Sequence, residues 1–166
     1  QARVEMQKLK QGDLDRKDWD RVSLGVDELN NSKIVIDDTP GISLMEMRNK
    51  CRRLKAEQGL DLIVVDYLQL IPERGKDRYE KVTNISQGLH VLARSCGIAV
   101  IALAQLSRPE KSNGKPQPPT MSSFRESGQI EQDADIALLL WPADPNDNQS
   151  RRVLKVGKNK EGERTK

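Results

Sequence analysis

Two polar residues stand directly after aliphatic runs, at positions where side chains often do chemistry. The run Leu62–Val65 ends on Asp66, and the run Ile98–Ala104 ends on Gln105. Short runs rich in β-branched residues are typical of strands covered on both faces. Open α/β sheets bind ligands at the carboxyl ends of such strands. One predicted helix joins the two strands, which makes them parallel and places their carboxyl ends at the same sheet edge. Asp66, an acid suited to a metal ion, and Gln105, an amide able to sense a phosphate or a water, should therefore meet there.

A plainer interpretation applies to each residue taken alone. Polar side chains frequently end strands, and an aspartate often caps the loop that follows. On the two strands alone, Asp66 as a loop cap and Gln105 as an ordinary strand end therefore remain open alternatives.

Two further stretches are rich in polar groups. The segment from Phe124 to Asp135 carries more charge and amide than a structural element needs. A second cluster is basic, punctuated by glycine and suited to phosphate; it comprises Lys155, Lys158, Lys160, Arg164 and Lys166. A run of charge is more often a solvated face, so neither stretch assigns a function by itself.

The elements that must position these residues follow from hydrophobic periodicity. The pattern predicts helices over 1–11, 15–29, 44–58, 79–96 and 124–133, and strands over 33–37, 62–66, 98–104, 136–141 and 153–156. Strands and helices alternate at the spacing of βαβ units, which indicates a mainly parallel α/β sheet flanked by helices in one domain over 1–166. That sheet should hold the strands ending at Asp37, Asp66 and Gln105, together with 136–141.

Local sequence signals predict buried faces, helix ends and a loop among these elements. Trp19, Val22, Val26 and Leu29 recur at helical spacing and predict one buried face, as do Val82, Ile85, Leu89 and Leu92. Ser43 with Glu46 predicts a capping box at a helix start, and Gly59 predicts its end. Prolines and small polar residues over 109–122 predict a mobile loop.

Composition limits the classes of protein to which the chain can belong. The 166 residues are 36% apolar and 3% aromatic with a net charge of +3, so the core is aliphatic and nucleic-acid binding would need a local basic patch. Cys51 and Cys96 are interpreted as reduced core thiols of a cytoplasmic protein. No signal peptide and no apolar run near the ~18 residues of a membrane span is present, so no membrane partner is expected.

Three motifs in order carry a resemblance to a known family. They are Asp66-Tyr67-Leu68-Gln69-Leu70, Ala104-Gln105-Leu106-Ser107-Arg108, and Arg125-Glu126-Ser127-Gly128-Gln129-Ile130-Glu131-Gln132-Asp133-Ala134-Asp135. In this order and spacing they closely resemble the DnaB-type replicative DNA helicases, over essentially the whole chain. The resemblance implies a RecA-like P-loop ATPase core that assembles into a homo-hexameric ring. The ring would move on single-stranded DNA and unwind duplex DNA. A helicase loader and primase are candidate partners.

The resemblance also implies roles for single residues. Asp66 is similar to the Walker B acid that holds Mg²⁺ beside ATP, and Gln105 to the sensor that links the γ-phosphate to the DNA loops. Arg125, Glu126 and Gly128 match the loop that contacts the DNA backbone, and 109–122 would face the central channel. Backbone contact suits a motor that must bind every sequence alike.

Lys158 and Lys160 fall where the family has a basic pair that reaches into the neighbouring subunit's nucleotide site. The family's second residue there is an arginine finger, so Lys160 is a departure. Lysine lacks the planar fork of arginine, and Arg164 is the nearby alternative for the trans contact.

One expected motif is absent: the chain contains no G-x-x-x-x-G-K-[ST] phosphate loop. The chain is therefore expected to be a fragment, truncated at the amino-terminal side of its core, that does not hydrolyse ATP alone, although its parent is an ATP-dependent helicase. Two rivals stay open. One is another RecA-like ATPase, such as a recombinase or a circadian-clock-type ATPase, and the other is a non-catalytic module that binds DNA or a loader.

Overall fold

The computed structural model describes residues 2–107, 111–112, 115–124, 128–147 and 149–162. Five α-helices occur there: α1 Met6–Gln11, α2 Arg16–Asn30, α3 Leu44–Glu57, α4 Arg78–Cys96 and α5 Gly128–Asp133. Six strands occur: β1 Leu62–Val65, β2 Ala99–Ala102, β3 Lys111–Ser112, β4 Lys115–Pro116, β5 Ile136–Pro142 and β6 Arg152–Asn159. Short 3-10 helices cover Leu68–Leu70 and Met121–Phe124. The chain divides into two compact units, Gln1–Thr39 and Pro40–Lys166.

The first unit contains α1 and α2. Asp15 caps α2, because its side chain accepts a hydrogen bond from the Asp18 backbone N–H at 2.8 Å. Asp18 is buried, and its carboxylate receives the ammonium group of Lys8 at 3.1 Å. This pairing removes the cost of an isolated buried charge.

Two predictions for the first unit are wrong. The expected buried face of α2 is largely open, with Trp19 55%, Val26 48% and Leu29 51% exposed. No strand forms over 33–37, and its aliphatic side chains are exposed. A strand needs a neighbour for its backbone hydrogen bonds, and the described residues offer none to this segment.

The second unit has its core between α3, α4 and one face of the β1–β2 pair. The predicted inner residues of α4, Val82, Ile85, Leu89 and Leu92, are all buried and belong to the main hydrophobic cluster. Met47 and Cys51 of α3 join them, as do Cys96 and Ile98. Both cysteines are buried free thiols in helices, as predicted.

Strands β1 and β2 pair in parallel, with Leu62 opposite Ala99 and Val65 opposite Ala102. The parallel pairing that the βαβ spacing predicts is therefore confirmed for these two strands. Coverage on both faces is not: Ile63 and Val65 pack against the core, whereas Val64 is 59% and Ile101 52% exposed. A continuous aliphatic run does not distinguish a strand covered on two faces from one covered on a single face.

Strand β5 does not join the parallel pair, contrary to the expectation for 136–141. It forms an antiparallel ladder with β6, from Ile136 opposite Asn159 to Pro142 opposite Arg152, with an irregularity at Ala137 and Leu138. The polar turn between them is short enough for a hairpin connection, and Ala143 N–H donates to the Arg151 carbonyl at 2.8 Å. Within the segment predicted to be a loop, β3 and β4 form a second, short antiparallel pair.

Candidate functional site

The parallel register brings the ends of β1 and β2 to one edge. Leu103 N–H donates to the Val65 carbonyl at 2.9 Å, and Leu68 N–H donates to the Leu103 carbonyl at 2.9 Å. The ladder thus continues past both strands. Asp66 follows β1 on this edge with an exposed side chain, and its peptide bond to Tyr67 is cis.

Gln105 is held at this edge by a side chain that sequence reasoning missed. The Gln69 amide accepts a hydrogen bond from the Gln105 backbone N–H and donates one to the Gln105 carbonyl, each at 3.3 Å. One primary amide therefore pairs with the backbone as a neighbouring strand would, and extends the ladder beyond Leu103. The only signal in the sequence was that Gln69 lies inside the motif that begins at Asp66.

The chemistry of Asp66 fits one carboxylate ligand of a hard cation. Its side chain is exposed and makes no hydrogen bond to another residue in the described part of the chain, so its oxygens are available. The described residues contain no group of three or more acidic, histidine or cysteine side chains that could enclose a metal ion. Mg²⁺ tolerates such a site, because it keeps several waters and is usually held by one or two carboxylates plus phosphate oxygens.

The third motif lies around α5. Arg125 and Glu126 fall outside the described residues, and Gly128 is the first residue of the helix. Asp133 anchors α5: one of its carboxylate oxygens accepts from the Ser86 hydroxyl on α4 at 2.7 Å, and the other from the Gln129 amide at 2.7 Å. At least two of the polar residues in this motif therefore build the fold.

Lys158 on β6, the first residue of the basic pair, contacts the end of the same helix. Lys158 Nζ donates to the carbonyls of Glu131 at 2.6 Å and Gln132 at 3.2 Å. These carbonyls lie in the last turn of α5, where a cation is favoured by the unpaired acceptors and the helix dipole. The sequence had suggested phosphate as a partner for Lys158, and the structure shows an additional partner within the chain.

Lys160 pairs with the last acid of the motif. Its Nζ lies 3.1 Å from Asp135 Oδ1, and its backbone N–H donates to the Asp135 carbonyl at 2.9 Å. The hydrogen bond from Lys160, and then its charge, hold the pKa of Asp135 below the ordinary value of 3.8. Arg164, the alternative for the trans contact, lies outside the described residues.

The predicted site residues thus form two groups. Asp66 and Gln105 share the edge of the parallel pair, as predicted from their strands. Gly128 and Lys158 share a shallow cleft of about 430 Å³, whose lining also includes Met121, Glu131, Gln132 and Gly157. No helix in the described part of the chain combines the length and apolarity that a membrane crossing requires.

Solved structures resemble this fold closely. A structure titled "ATPase Domain of G40P" superposes with a TM-score of 0.87 at 34% identity, over 99% of this chain and 61% of that one. A second, titled "The Structure Of A DnaB-Like Replicative Helicase And Its Interactions With Primase", gives a TM-score of 0.85 at 32% identity, over 99% of this chain and 42% of that one. The fold is therefore that of a RecA-like ATPase domain.

Sequence comparison agrees with the fold. The chain is 44% identical over 153 residues to the replicative DNA helicase DnaC of Bacillus subtilis (strain 168), covering 90% of this chain and 34% of the relative. It is 42% identical over 161 residues to the replicative DNA helicase DnaB of Geobacillus stearothermophilus, covering 94% and 35%. The chain thus spans about a third of the length of these relatives.

A family model described as the DnaB-like helicase C terminal domain matches residues 1–166. The chain belongs to this family, which confirms the resemblance carried by its three motifs.

Proposed function

We propose that this chain is part of an ATP-driven replicative DNA helicase, which translocates on single-stranded DNA and unwinds duplex as a homo-hexameric ring. The observation that carries the proposal is the shared edge of β1 and β2, where Asp66 and Gln105 stand together. This is the edge at which open α/β sheets bind ligands. Family membership over the whole chain supports the same function.

At that edge Asp66 would hold Mg²⁺ through its water shell beside the phosphates of ATP. The metal, when bound, neutralises charge that develops on the transferred phosphoryl group. Gln105 would sense the terminal phosphate, since its backbone is fixed by Gln69 while its own amide remains available. A phosphate loop is absent from this sequence, so the 166-residue chain alone should not hydrolyse ATP.

The second group of residues would serve the DNA and the neighbouring subunit. Arg125, Glu126 and Gly128 would contact the DNA backbone. Lys158 and Lys160 would reach the nucleotide of the adjacent subunit, where each supplies a point charge rather than the planar fork of an arginine. A trans role for Lys160 predicts that Lys160→Ala lowers ATP hydrolysis in the full-length ring.

Partners and place of action follow from this role. Primase is a proposed partner, because a similar DnaB-like helicase was solved in a study of its interactions with primase. A helicase loader is a second proposed partner. The proposed location is the cytoplasm, where bacterial relatives that are replicative helicases meet their DNA.

A strand-displacement assay on the full-length protein tests the proposal. The substrates are duplexes with a single-stranded 5′ tail or a single-stranded 3′ tail, with ATP and Mg²⁺, and with a non-hydrolysable ATP analogue as the control. The resemblance to DnaB-type helicases implies movement in the 5′-to-3′ direction. We therefore expect displacement from the 5′-tailed substrate only, and only with hydrolysable ATP. A full-length protein that binds single-stranded DNA tightly but neither hydrolyses ATP nor displaces a strand would instead favour the non-catalytic module.

A further inference from the structure

The contacts around α5 connect two parts of the proposed machinery. The helix begins at Gly128, in the proposed DNA-contacting segment. Its last turn binds Lys158 through two carbonyls, and Asp135, two residues beyond its end, binds Lys160. The proposed DNA contact and the partners of both lysines therefore lie on one short segment, Gly128 to Asp135.

The helix itself is fixed from the other side. Asp133 bonds to Ser86 on α4 and to Gln129 within α5. The end of α5 therefore has a defined position on α4, and Lys158 of β6 contacts that end. Lys160, directly after β6, contacts Asp135 just beyond the helix.

Asp135 is bound to Lys160 by two independent contacts. The side-chain pair is 3.1 Å long, with the two side chains 63% and 65% exposed. The backbone bond from Lys160 N–H to the Asp135 carbonyl, at 2.9 Å, brings the two residues together whatever their side chains do. The side-chain pair is thus an addition to a backbone contact, so its removal should not unfold this part of the chain.

We propose that Asp135 is a positioning residue, which sets where the Lys160 ammonium stands and so couples the trans contact of Lys160 to α5 and its DNA-contacting start. This inference rests on the proposed function. The Lys160 side chain is 63% exposed and its ammonium group has three donors, so Lys160 can keep its bond to Asp135 while another N–H reaches the phosphates of a neighbouring subunit. The hydrogen bond and charge of Lys160, followed by the charges of His90 and Lys158, lower the pKa of Asp135 below its ordinary value.

The test compares Asp135→Asn, Asp135→Glu and the matched control Asp61→Asn in the full-length protein. Asp61 is an exposed acid just before β1, at the opposite end of the strand from Asp66. The readouts are kcat and KM for ATP at saturating single-stranded DNA. We expect Asp135→Asn to lower kcat about two- to fivefold, the factor that an exposed ion pair supplies, with KM for ATP unchanged. Asp135→Glu should restore most of the rate, and Asp61→Asn should match the wild type.

A double-mutant cycle separates positioning from a general structural effect. In a Lys160→Met background, Asp135→Asn should cause no further loss, because the group that it positions is gone. An unchanged kcat in Asp135→Asn, or the same fall in the Lys160→Met background, would overturn the inference. If the wild-type protein shows no DNA-stimulated ATP hydrolysis, the proposed function itself fails, which is a distinct result.

Discussion

At the scale of single residues, the edge of the β1–β2 pair depends on one amide. Gln69 satisfies both backbone groups of Gln105 at once, with two bonds of 3.3 Å. The loop after β2 has no third strand to pair with among the described residues, so this side chain replaces one. The sensing role proposed for Gln105 requires that residue to hold a fixed position, so Gln69 would contribute to it without touching the nucleotide.

Gln69→Met tests this arrangement, since methionine keeps the length of the side chain and removes both hydrogen bonds. We expect the Gln105 amide to lose protection from hydrogen exchange about five- to tenfold, as the loss of a bond worth about 1 kcal/mol implies. Exchange measured residue by residue by NMR provides the readout. Gln87→Met is the control, because Gln87 is exposed on α4 and its side chain makes no hydrogen bond in the described part of the chain. Equal protection of Gln105 in both variants would contradict the role of Gln69.

Residue types and strand order were sufficient to place Asp66 and Gln105 together. They could not reveal Gln69, Asp133 or Asp135 as partners, because those contacts join residues 25 to 47 positions apart. No local pattern encodes such a pairing. The polar richness of the third motif is explained in part by the fold, since Gln129 and Asp133 anchor α5.

At the scale of elements, the ends of the helices follow local rules. The Ser43 hydroxyl accepts from the Glu46 backbone N–H at 3.3 Å, and the Glu46 carboxylate accepts from the Ser43 N–H at 2.9 Å. This is the capping box predicted from the spacing of the two residues. Gly59 follows α3 with φ of 82°, a conformation that glycine adopts without strain, and is thus the helix end predicted from the sequence.

The capping box should make stability depend on pH. The hydrogen bonds from Ser43, with its backbone N–H first, hold the pKa of Glu46 below its ordinary value of 4.5. A carboxyl group whose pKa is lower in the folded than in the unfolded protein stabilises the fold at pH values above its unfolded-state pKa. That stabilisation is lost as the pH falls through its folded-state pKa. We expect Glu46→Gln to have a lower Tm than the wild type at pH 7, and the difference to shrink as pH drops below about 4.5. A difference in Tm that stays constant from pH 7 to pH 3 would contradict this.

The carboxyl end of α4 has a partner from α3. Lys55 Nζ donates to the Cys96 carbonyl and, at 2.8 Å, to the Gly97 carbonyl. Lys55→Met should lower the free energy of unfolding by about 1 kcal/mol, because it removes a charge-assisted bond to a helix end that is partly open to solvent. Urea unfolding compared with Arg53→Met, an exposed basic residue on the same helix, provides the measurement. Equal urea midpoints for the two variants would show that the contact of Lys55 with the end of α4 does not stabilise the protein.

Strands were harder to predict than helices, for a physical reason. A helix satisfies its backbone within its own segment, whereas a strand depends on partners elsewhere. The segment 33–37 has the composition of a strand, yet Ile34 is 65% and Ile36 85% exposed without a ladder. The segment 136–141 is a strand, but its partner is the adjacent β6 and not β1 or β2.

At the scale of the whole molecule, the structural match and the family model identify the same kind of domain. Two of its strand pairs nevertheless expose apolar side chains to solvent. The chain superposes on a known ATPase domain at a TM-score of 0.87 and spans 61% of that domain. One face of the β1–β2 pair and one face of the β5–β6 pair carry exposed aliphatic side chains, including Val64, Ile101, Leu138 and Leu154. Periodicity identifies such residues as apolar, but it cannot show whether anything covers them.

The most direct measurement of the central claim is DNA-stimulated ATP hydrolysis by the full-length protein carrying Asp66→Asn. The change removes one negative charge at the proposed Mg²⁺ position, and Asp61→Asn removes the same charge at the opposite end of β1. Loss of a group that stabilises transition-state charge should lower the rate about a hundredfold or more, with Asp61→Asn at the wild-type rate. An Asp66→Asn protein that hydrolyses ATP within about twofold of the wild-type rate, well below the effect of losing such a group, would contradict the claim that this edge is the nucleotide site.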